Sequence, residues 1–224
     1  MENFIFNGKH SYNDLGIVVK KMPSLTKAAK DIESIKVNGR NGNLHIDNGT
    51  YNSYTETIEC VVMDLSKIDL IKKTLDGEGN LKISTNPNRV YNVIIKNQIP
   101  FDKYLGVLRE FPLQLEIEPF SYSEELKSIN KNESGVFEIQ GNVNTPPNIT
   151  VSGVGTITIN NKSIQVLESD ITIDCELMNC TKNLINKNDQ VILQDFPILI
   201  PGENSITLGV GITNVKIEYR ERWL

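Results

Sequence analysis

The sequence predicts a mainly β protein in two parts: a β-rich N-terminal domain with one short helix, followed by a C-terminal β-sandwich. The 224 residues include 26 Asn and 28 Ile; Asn favours turns and loop ends, and Ile favours strands. Short runs of alternating apolar and polar residues recur along the chain, separated by Gly and Asn. Residues 121–135 are polar and nearly free of large apolar side chains, which is typical of a domain boundary.

The N-terminal part begins with two short predicted strands, at residues 3–8 and 15–20, which Gly8 and Gly16 punctuate. Residues 23–34 have helical propensity, but their apolar face is too thin to predict a stable helix.

The strongest hairpin signal follows, in the segment IKVNGRNGNLHIDNGTY. Asn38-Gly39 and Asn41-Gly42 separate two strand-like stretches, and Asn48-Gly49 comes next. Asn-Gly steps supply the positive φ angles that tight hairpin turns need. Residues 54–63 are predicted to continue as a strand.

One good helix is predicted in the segment DLSKIDLIKKTLDG, with Ser66 as its N-terminal cap and Gly77 as its stop. Its apolar residues recur at helical spacing: Leu65, Ile68, Ile71 and Leu75. Strands are predicted at 81–84, 90–97 and 106–118, and Pro119 is expected to end the last of these.

The second part alternates with period two throughout. The segments FEIQG, NITVSG, TITINNKSIQVL and DITIDCEL predict short strands joined by turns, as in a sandwich or a small barrel. The final run places Val215, Ile217 and Tyr219 on one face of a last strand and charged residues on the other.

Composition excludes several classes of protein. A net charge of -5 and a pI of about 5.2 argue against a nucleic-acid binder with a basic surface. No apolar run reaches membrane-spanning length, so no membrane insertion is expected. Three cysteines do not make a disulfide framework, and the chain starts like a strand. Folding in a reducing cytoplasm is therefore expected.

Catalytic chemistry is not visible in the sequence. His10 and His45 lack metal ligands at a suitable spacing and lack a nucleophile elbow. Cys175 shares the phase of buried strand residues, so a small apolar role is predicted for it. The pairs Glu124-Glu125 and Asp170/Asp174 are interpreted as solvated charge. We expect no enzyme, metal or cofactor.

One corner near the C-terminus carries a resemblance: Asp195, Phe196, Pro197, Leu199, Pro201, Gly202 and Asn204. It resembles a segment of phage distal tail proteins, the siphovirus-type tail-tip hub components of the Dit family. Other stretches agree with the family in the same order: Phe4 to Ile17, Val37 to Tyr51, Glu118 to Tyr122, Pro147 to Gly155 and Tyr219 to Leu224.

The resemblance implies an N-terminal belt domain, residues 1–130 joined by a returning last strand at 211–224, and a galectin-like β-sandwich at 136–210. It implies a non-enzymatic virion protein, assembled in the host cytoplasm, that forms a homohexameric ring. The implied partners are the tail tube protein, the tail-associated hub or tape-measure end, and receptor-binding proteins. Contractile-tail relatives are equally compatible.

Two sets of residues follow as candidate sites. The hairpin is expected at the subunit contact, because exposed strand edges invite pairing with a neighbour: Asn38, Gly39, Arg40, Gly42, Leu44, Gly49 and Tyr51. The corner at 195–204 is expected to be held by its prolines, by a positive φ at Gly202 and by local bonding of Asn204.

Two rival functions remain at this point. A monomeric β-sandwich that binds carbohydrate or acts in adhesion is the alternative, although the second domain has few aromatic candidates for a sugar platform: Phe137, Phe196, Tyr219 and Trp223. A glycan or peptidoglycan hydrolase would have only carboxylates to use.

Overall fold

The computed structural model describes residues 2–96 and 109–224. Contacts between Cα atoms divide the chain into two compact units. The N-terminal unit comprises Met1–Ser121 together with Leu224, and the C-terminal unit comprises Tyr122–Trp223.

The described residues of the N-terminal unit form nine strands, a 3-10 turn at Leu65–Lys67 and one helix, α1, at Ile68–Thr74. The strands are β1 (Phe4–Phe6), β2 (Lys9–His10), β3 (Ile17–Lys21), β4 (Lys30–Lys36), β5 (Asn43–Tyr51), β6 (Tyr54–Val62), β7 (Gly77–Ile83), β8 (Asn86–Ile95) and β9 (Arg109–Ser123).

Seven of these strands form one sheet in the order β2-β1-β7-β8-β9-β6-β3. Its core consists of alternating residues along its strands, such as Phe4, Phe6 and Leu113, which are fully buried. Among the described strands, β4 and β5 pair only with each other and form a separate two-stranded sheet.

The predicted helix is present, but it is shorter than the segment over which apolar residues recur at helical spacing. Ile71 and Leu75 are buried, whereas Leu65 lies in the 3-10 turn and is 43% exposed. Asp64, not Ser66, caps the turn: its side chain accepts a hydrogen bond from the Ser66 N–H. A carboxylate two residues before the N–H satisfies that donor as well as a hydroxyl does.

Strand β9 runs further than predicted. It continues through Pro119 to Ser123, so Pro119 does not end it. A proline has a φ angle that extended backbone tolerates and removes only one donor, so it stops a strand less effectively than a helix. Residues 106–108 of the predicted strand, and residue 97 of the preceding one, lie outside the described residues.

The C-terminal unit contains twelve shorter strands and a 3-10 turn at Asn188–Gln190. They are β10 (Lys127–Lys131), β11 (Gly135–Ile139), β12 (Asn148–Gly153), β13 (Gly155–Ile159), β14 (Lys162–Val166), β15 (Ile171–Asp174), β16 (Asn179–Lys182), β17 (Ile185–Asn186), β18 (Val191–Leu193), β19 (Gly202–Leu208), β20 (Ile212–Tyr219) and β21 (Arg222–Trp223).

Two antiparallel sheets form this unit, one in the order β10-β20-β12-β15-β16-β17 and one in the order β11-β19-β13-β14-β18. One apolar cluster draws on both sheets, with Ile149 and Ile217 from the first and Ile157 and Ile164 from the second. Two sheets that share one core make a β-sandwich, which confirms the predicted class.

The domain boundary lies at the start of the predicted boundary segment, between Ser121 and Tyr122, rather than between residues 130 and 136. The polar segment 121–135 is not a linker, because it contains β10 and the start of β11. Strand β10 is an edge strand, where polar side chains are tolerated, and its one apolar residue, Ile129, lies opposite Ile217.

The last strands also differ from the expectation that residues 211–224 belong with the N-terminal domain. Strand β20 pairs with β10 and β12 inside the C-terminal unit, where Ile217 and Val215 complete the sandwich core. Of residues 211–224, only those in β21 pair with β9, and only Leu224 groups with the N-terminal unit. The burial of β20 in the sandwich decides its membership.

Within the described part of the chain, no helix has the length and apolarity that crossing a membrane requires.

Candidate functional site

The hairpin formed by β4 and β5 is the most exposed secondary structure of the N-terminal unit. Its six-residue turn contains Gly39 and Gly42, with φ angles of +82° and +78°, which are angles that glycine adopts at little cost. Arg40 lies in this turn, and its N–H donates to the carbonyl of Val37 at 3.3 Å. The Asn-Gly steps therefore turn the chain where the sequence predicted.

Polar contacts hold the base of the hairpin. Lys30 pairs with Asp47 at 2.6 Å, and the Asp47 carboxylate also accepts the Gly49 N–H at 2.9 Å. Both interactions lower the pKa of Asp47. Tyr51 ends β5 and makes an edge-to-face contact with Phe120, with ring centroids 5.7 Å apart. This aromatic contact anchors the hairpin to β9.

The two faces of the hairpin differ in character. Ser34 pairs with His45, which places both on one polar face. Ile35 pairs with Leu44, and Ile46 lies two residues along on the same side as Leu44. We call this second side the apolar hairpin face; its residues Ile35, Leu44 and Ile46 are 37–40% exposed.

The sequence analysis included Leu44 but not Ile35 or Ile46. The signal was present, since Ile35 and Val37 precede the turn in the same alternating phase that Leu44 and Ile46 follow after it.

The corner before β19 is held by the side chain of Asn204, which is fully buried. Its Oδ1 accepts the Ile200 N–H at 2.9 Å, and its Nδ2 donates to the carbonyls of Ile200 and Gly202 at 2.8 and 3.0 Å. Asn160 Nδ2 also donates to Asn204 Oδ1. Gly202 has a φ of +85°. Both residues thus have the local geometry that the sequence predicted.

The other corner residues pack around this network. Leu199 is fully buried and bridges Thr145 through two backbone hydrogen bonds of 2.8 and 2.9 Å. Pro197 is buried and Pro201 is exposed. Phe196 packs against the sandwich core, and Asp195 pairs with Lys162 at 2.7 Å, which lowers the pKa of Asp195. These contacts make the corner part of the sandwich.

The C-terminal unit contains two corners that cross each other, and the sequence analysis did not predict them. Gly153-Val154-Gly155 joins the two sheets between β12 and β13, and Gly209-Val210-Gly211 joins them between β19 and β20. The two segments lie backbone against backbone: Val154 N–H donates to the Gly211 carbonyl at 3.2 Å. The repeated tripeptide Gly-Val-Gly was the sequence signal from which these corners could have been predicted.

A polar groove of about 390 Å³ lies in the N-terminal unit, but its side chains already have partners. Asn7 Oδ1 accepts the Asn80 N–H at 2.9 Å, and Asn92 donates to Glu118 at 2.8 Å. These bonds hold strands together, so the groove carries no separate chemistry.

The titratable residues that the sequence singled out are dispersed. His45 lies on the hairpin, and the His10 ring accepts backbone N–H groups of its own turn at 3.1 and 3.3 Å. Cys60 and Cys175 are buried, and burial raises the pKa of each thiol to about 12. Among residues 2–96 and 109–224, no group of three His, Cys, Asp or Glu side chains is placed to hold a metal.

Glu168 is the carboxylate with the most strongly lowered pKa in the C-terminal unit. Lys182 and Lys187 donate to its two oxygens at 2.9 and 2.8 Å and lower its pKa to about 2. A depressed folded-state pKa stabilises the fold above the ordinary value of 4.5, and this stabilisation is lost as pH falls toward 2. The two ion pairs connect β16 and the segment after β17 to the loop before β15.

We expect Glu168→Gln to reduce the thermal stability of the protein at pH 7 and to have less effect near pH 2. The measurement is the unfolding midpoint from pH 2 to pH 8. As a control, Glu203→Gln removes an exposed carboxylate on β19 and should leave the pH dependence unchanged. An equal loss at both ends of the pH range would contradict the ion-pair explanation.

Part of the chain matches a family model. Residues 140–223 match the model of the siphovirus-type tail component, C-terminal domain. These residues lie within the C-terminal unit. No curated protein sequence matches the chain.

The whole chain also resembles a solved structure, the Dit protein (gp 19.1) of SPP1, with a TM-score of 0.77 over 100% of both chains and 13% sequence identity. That protein is described as a paradigm of the hub adsorption apparatus in phages that infect Gram-positive bacteria. At this identity the likeness shows the fold, which extends over the N-terminal unit as well. The two matches confirm the resemblance to distal tail proteins.

Proposed function

We propose that this Dit-like chain forms a homohexameric hub ring at the distal end of a phage tail. The ring joins the tail tube to the tail-associated and receptor-binding proteins of the baseplate, and the chain folds in the host cytoplasm before it enters the virion. The C-terminal sandwich is proposed to be galectin-like.

The apolar hairpin face is the single observation that carries this proposal. An isolated two-stranded sheet is at best marginally stable in water, and this one exposes Ile35, Leu44 and Ile46. A neighbouring subunit that covers this face removes apolar surface from water. A face that packs on a different surface of the next copy is a head-to-tail contact, and such contacts form a ring when the rotation from one copy to the next closes.

Charge on the apolar hairpin face is low, which suits a subunit contact. Glu33 is the charged residue opposite Ile46 in the register, while the salt-bridged Lys30 and Asp47 lie at the base of the hairpin. Depletion of charge at the centre of a contact surface is the compositional signal of interface cores.

Light scattering over a concentration series, with negative-stain images of the same sample, tests the ring. The expected particle has six times the mass of one 25.2 kDa chain and a central hole. If the chain is monomeric at every concentration, the same measurement is repeated with the cognate tail-tube protein. No ring in either condition contradicts the proposal.

Leu44→Asp tests the hairpin, with His45→Asp as its matched control on the opposite face. Burying a carboxylate in place of Leu44 is expected to weaken each subunit contact at least about tenfold, so the ring should dissociate. Both residues are exposed in the monomer, so both variants should fold. If the two variants have the same particle size, the apolar hairpin face is not the contact.

A further inference from the structure

We infer that the C-terminal unit has a binding site for a small, neutral, polyhydroxylated ligand about the size of one sugar residue, in a cleft beside β20 and β21. The cleft has a volume of about 230 Å³. This is below the ~300–1,000 Å³ that is typical of pockets for drug-sized ligands. It therefore suits a single ring.

An unpaired buried acceptor marks the cleft. Asn148 is among its lining residues, and its Oδ1 is buried without a hydrogen-bond partner in the described part of the chain. Buried polar atoms are nearly always paired, because an unpaired one costs free energy. A rotation of the Asn148 amide toward the cleft would bring this atom within reach of an N–H or O–H donor of a ligand.

The neighbours of Asn148 supply more hydrogen-bonding groups on the same face of the sheet. Asn148 pairs across the strands with Glu218 on one side and Asp174 on the other. Directly opposed residues of neighbouring strands are about 5 Å apart at Cβ. Two carboxylates and one amide carbonyl thus form a row of acceptors across three neighbouring strands.

Two arginines add donors to the cleft. Arg222 donates to Glu176 at 3.1 Å, and its guanidinium lies 5.5 Å from the centre of the Tyr122 ring. Arg220 is exposed and has no ion-pair or hydrogen-bond partner among residues 2–96 and 109–224. Its donors are therefore available to a ligand. Hydroxyl groups require donors and acceptors side by side, since each hydroxyl both donates and accepts hydrogen bonds.

The charges of the cleft balance, which favours a neutral ligand. Glu176 is paired with Arg222, and Glu218 is paired with Lys216 at 2.7 Å. Asp174 and Arg220 are the remaining opposite charges in the lining. A ligand with a net charge of either sign meets a like charge, whereas a neutral polyol meets both as hydrogen-bonding groups.

Apolar side chains provide a wall for the carbon skeleton of such a ligand. Leu126 is 57% exposed at the cleft, and Pro146 lines it with the buried Pro147. The face of Tyr122 is already covered by Arg222. The apolar contact therefore comes from aliphatic groups rather than from an aromatic platform, which is why a search for exposed aromatic residues in the sequence does not find this site.

Saturation-transfer difference NMR on the full chain tests the site with methyl α-glucoside and N-acetylglucosamine as neutral probes, and with glucuronate and glucosamine as charged ones. A ligand of this size is expected to bind with a dissociation constant of about 1–10 mM. The charged probes should bind at least about threefold more weakly. The method works for a single chain or a large assembly, so the result does not depend on ring formation.

Asn148→Val, Arg220→Ala and the control Asn130→Val separate a ligand site from a structural role. The first two should weaken binding at least about tenfold, while Asn130→Val, on the neighbouring edge strand, should not change it. Asn148→Val should keep or raise the thermal midpoint, because it removes an unpaired buried atom and adds a strand-favouring residue.

Three results would overturn the inference. One is no saturation transfer from either neutral probe up to about 50 mM. Another is binding that survives Asn148→Val. The third is a midpoint lowered by more than about 5 °C in Asn148→Val, which would show that Asn148 has a structural role.

Discussion

Gly211→Ala is expected to destabilise the C-terminal unit by about 3–5 kcal/mol, with Gly153→Ala close behind. Both glycines have positive φ angles, +90° and +105°. A Cβ on either would approach a backbone carbonyl oxygen of the facing corner well inside 3.0 Å, a distance that real Cβ atoms do not show. The carbonyl is backbone, so relief requires that the crossed corners move apart.

Alanine substitutions at two other glycines of the same unit separate the cost of a positive φ from the cost of a close Cβ contact. Gly202 has a φ of +85° but open space around its Cβ position, so Gly202→Ala should cost only about 1 kcal/mol. A Cβ added at Gly135 would have Lys131 Nζ as its nearest neighbour, at 3.8 Å. Gly135→Ala should therefore change the free energy of unfolding by no more than about 0.5 kcal/mol.

The measurement is urea unfolding followed by the fluorescence of Trp223, the one tryptophan, which belongs to the C-terminal unit. Equal costs for Gly211→Ala and Gly202→Ala would show that backbone φ alone matters. In that case the close approach of the two corners would contribute nothing.

Asn204→Ala is expected to destabilise the same unit by about 2–4 kcal/mol. The side chain is fully buried and satisfies one backbone N–H and two backbone carbonyls of the corner, in addition to its bond with Asn160. Removing it leaves these groups unpaired away from water. The corner that packs Leu199 into the core should loosen first.

Asn130→Ala is the matched control, since Asn130 is exposed on β10 and its side chain makes no hydrogen bond to the described residues. Its cost should be within about 0.5 kcal/mol. Faster amide exchange of Ile200 in Asn204→Ala, but not in Asn130→Ala, would place the loss at the corner. Equal unfolding midpoints for the two variants would contradict the role assigned to Asn204.

The candidate hairpin could be predicted because its signals are local. Asn38-Gly39 and Asn41-Gly42 set the turn, and the alternating residues on both sides set the strands. Its start at Lys30 was missed, since Ala28 and Ala29 gave the preceding segment a helical appearance. Pairing with β5 outweighs that weak propensity.

The structure of the polar segment after residue 121 could not be predicted, because it depends on a distant strand. Its composition indicated a linker, yet β10 forms there because β20 offers a partner for its backbone. The cleft was equally invisible, since Asn148, Asp174 and Glu218 are far apart in sequence and meet only through the pairing of three strands.

The sequence by itself determined the β class, the turn positions and the two-part organisation of this protein, because period-two alternation and Asn-Gly chemistry act over a few residues. It also carried the family resemblance, in the order of its motifs. Only the tertiary structure decided that β20 completes the C-terminal sandwich, that two Gly-Val-Gly corners cross, and that Asn148 Oδ1 is buried without a hydrogen-bond partner among the described residues. These features depend on contacts between distant segments, and such contacts leave no periodic signal in the chain.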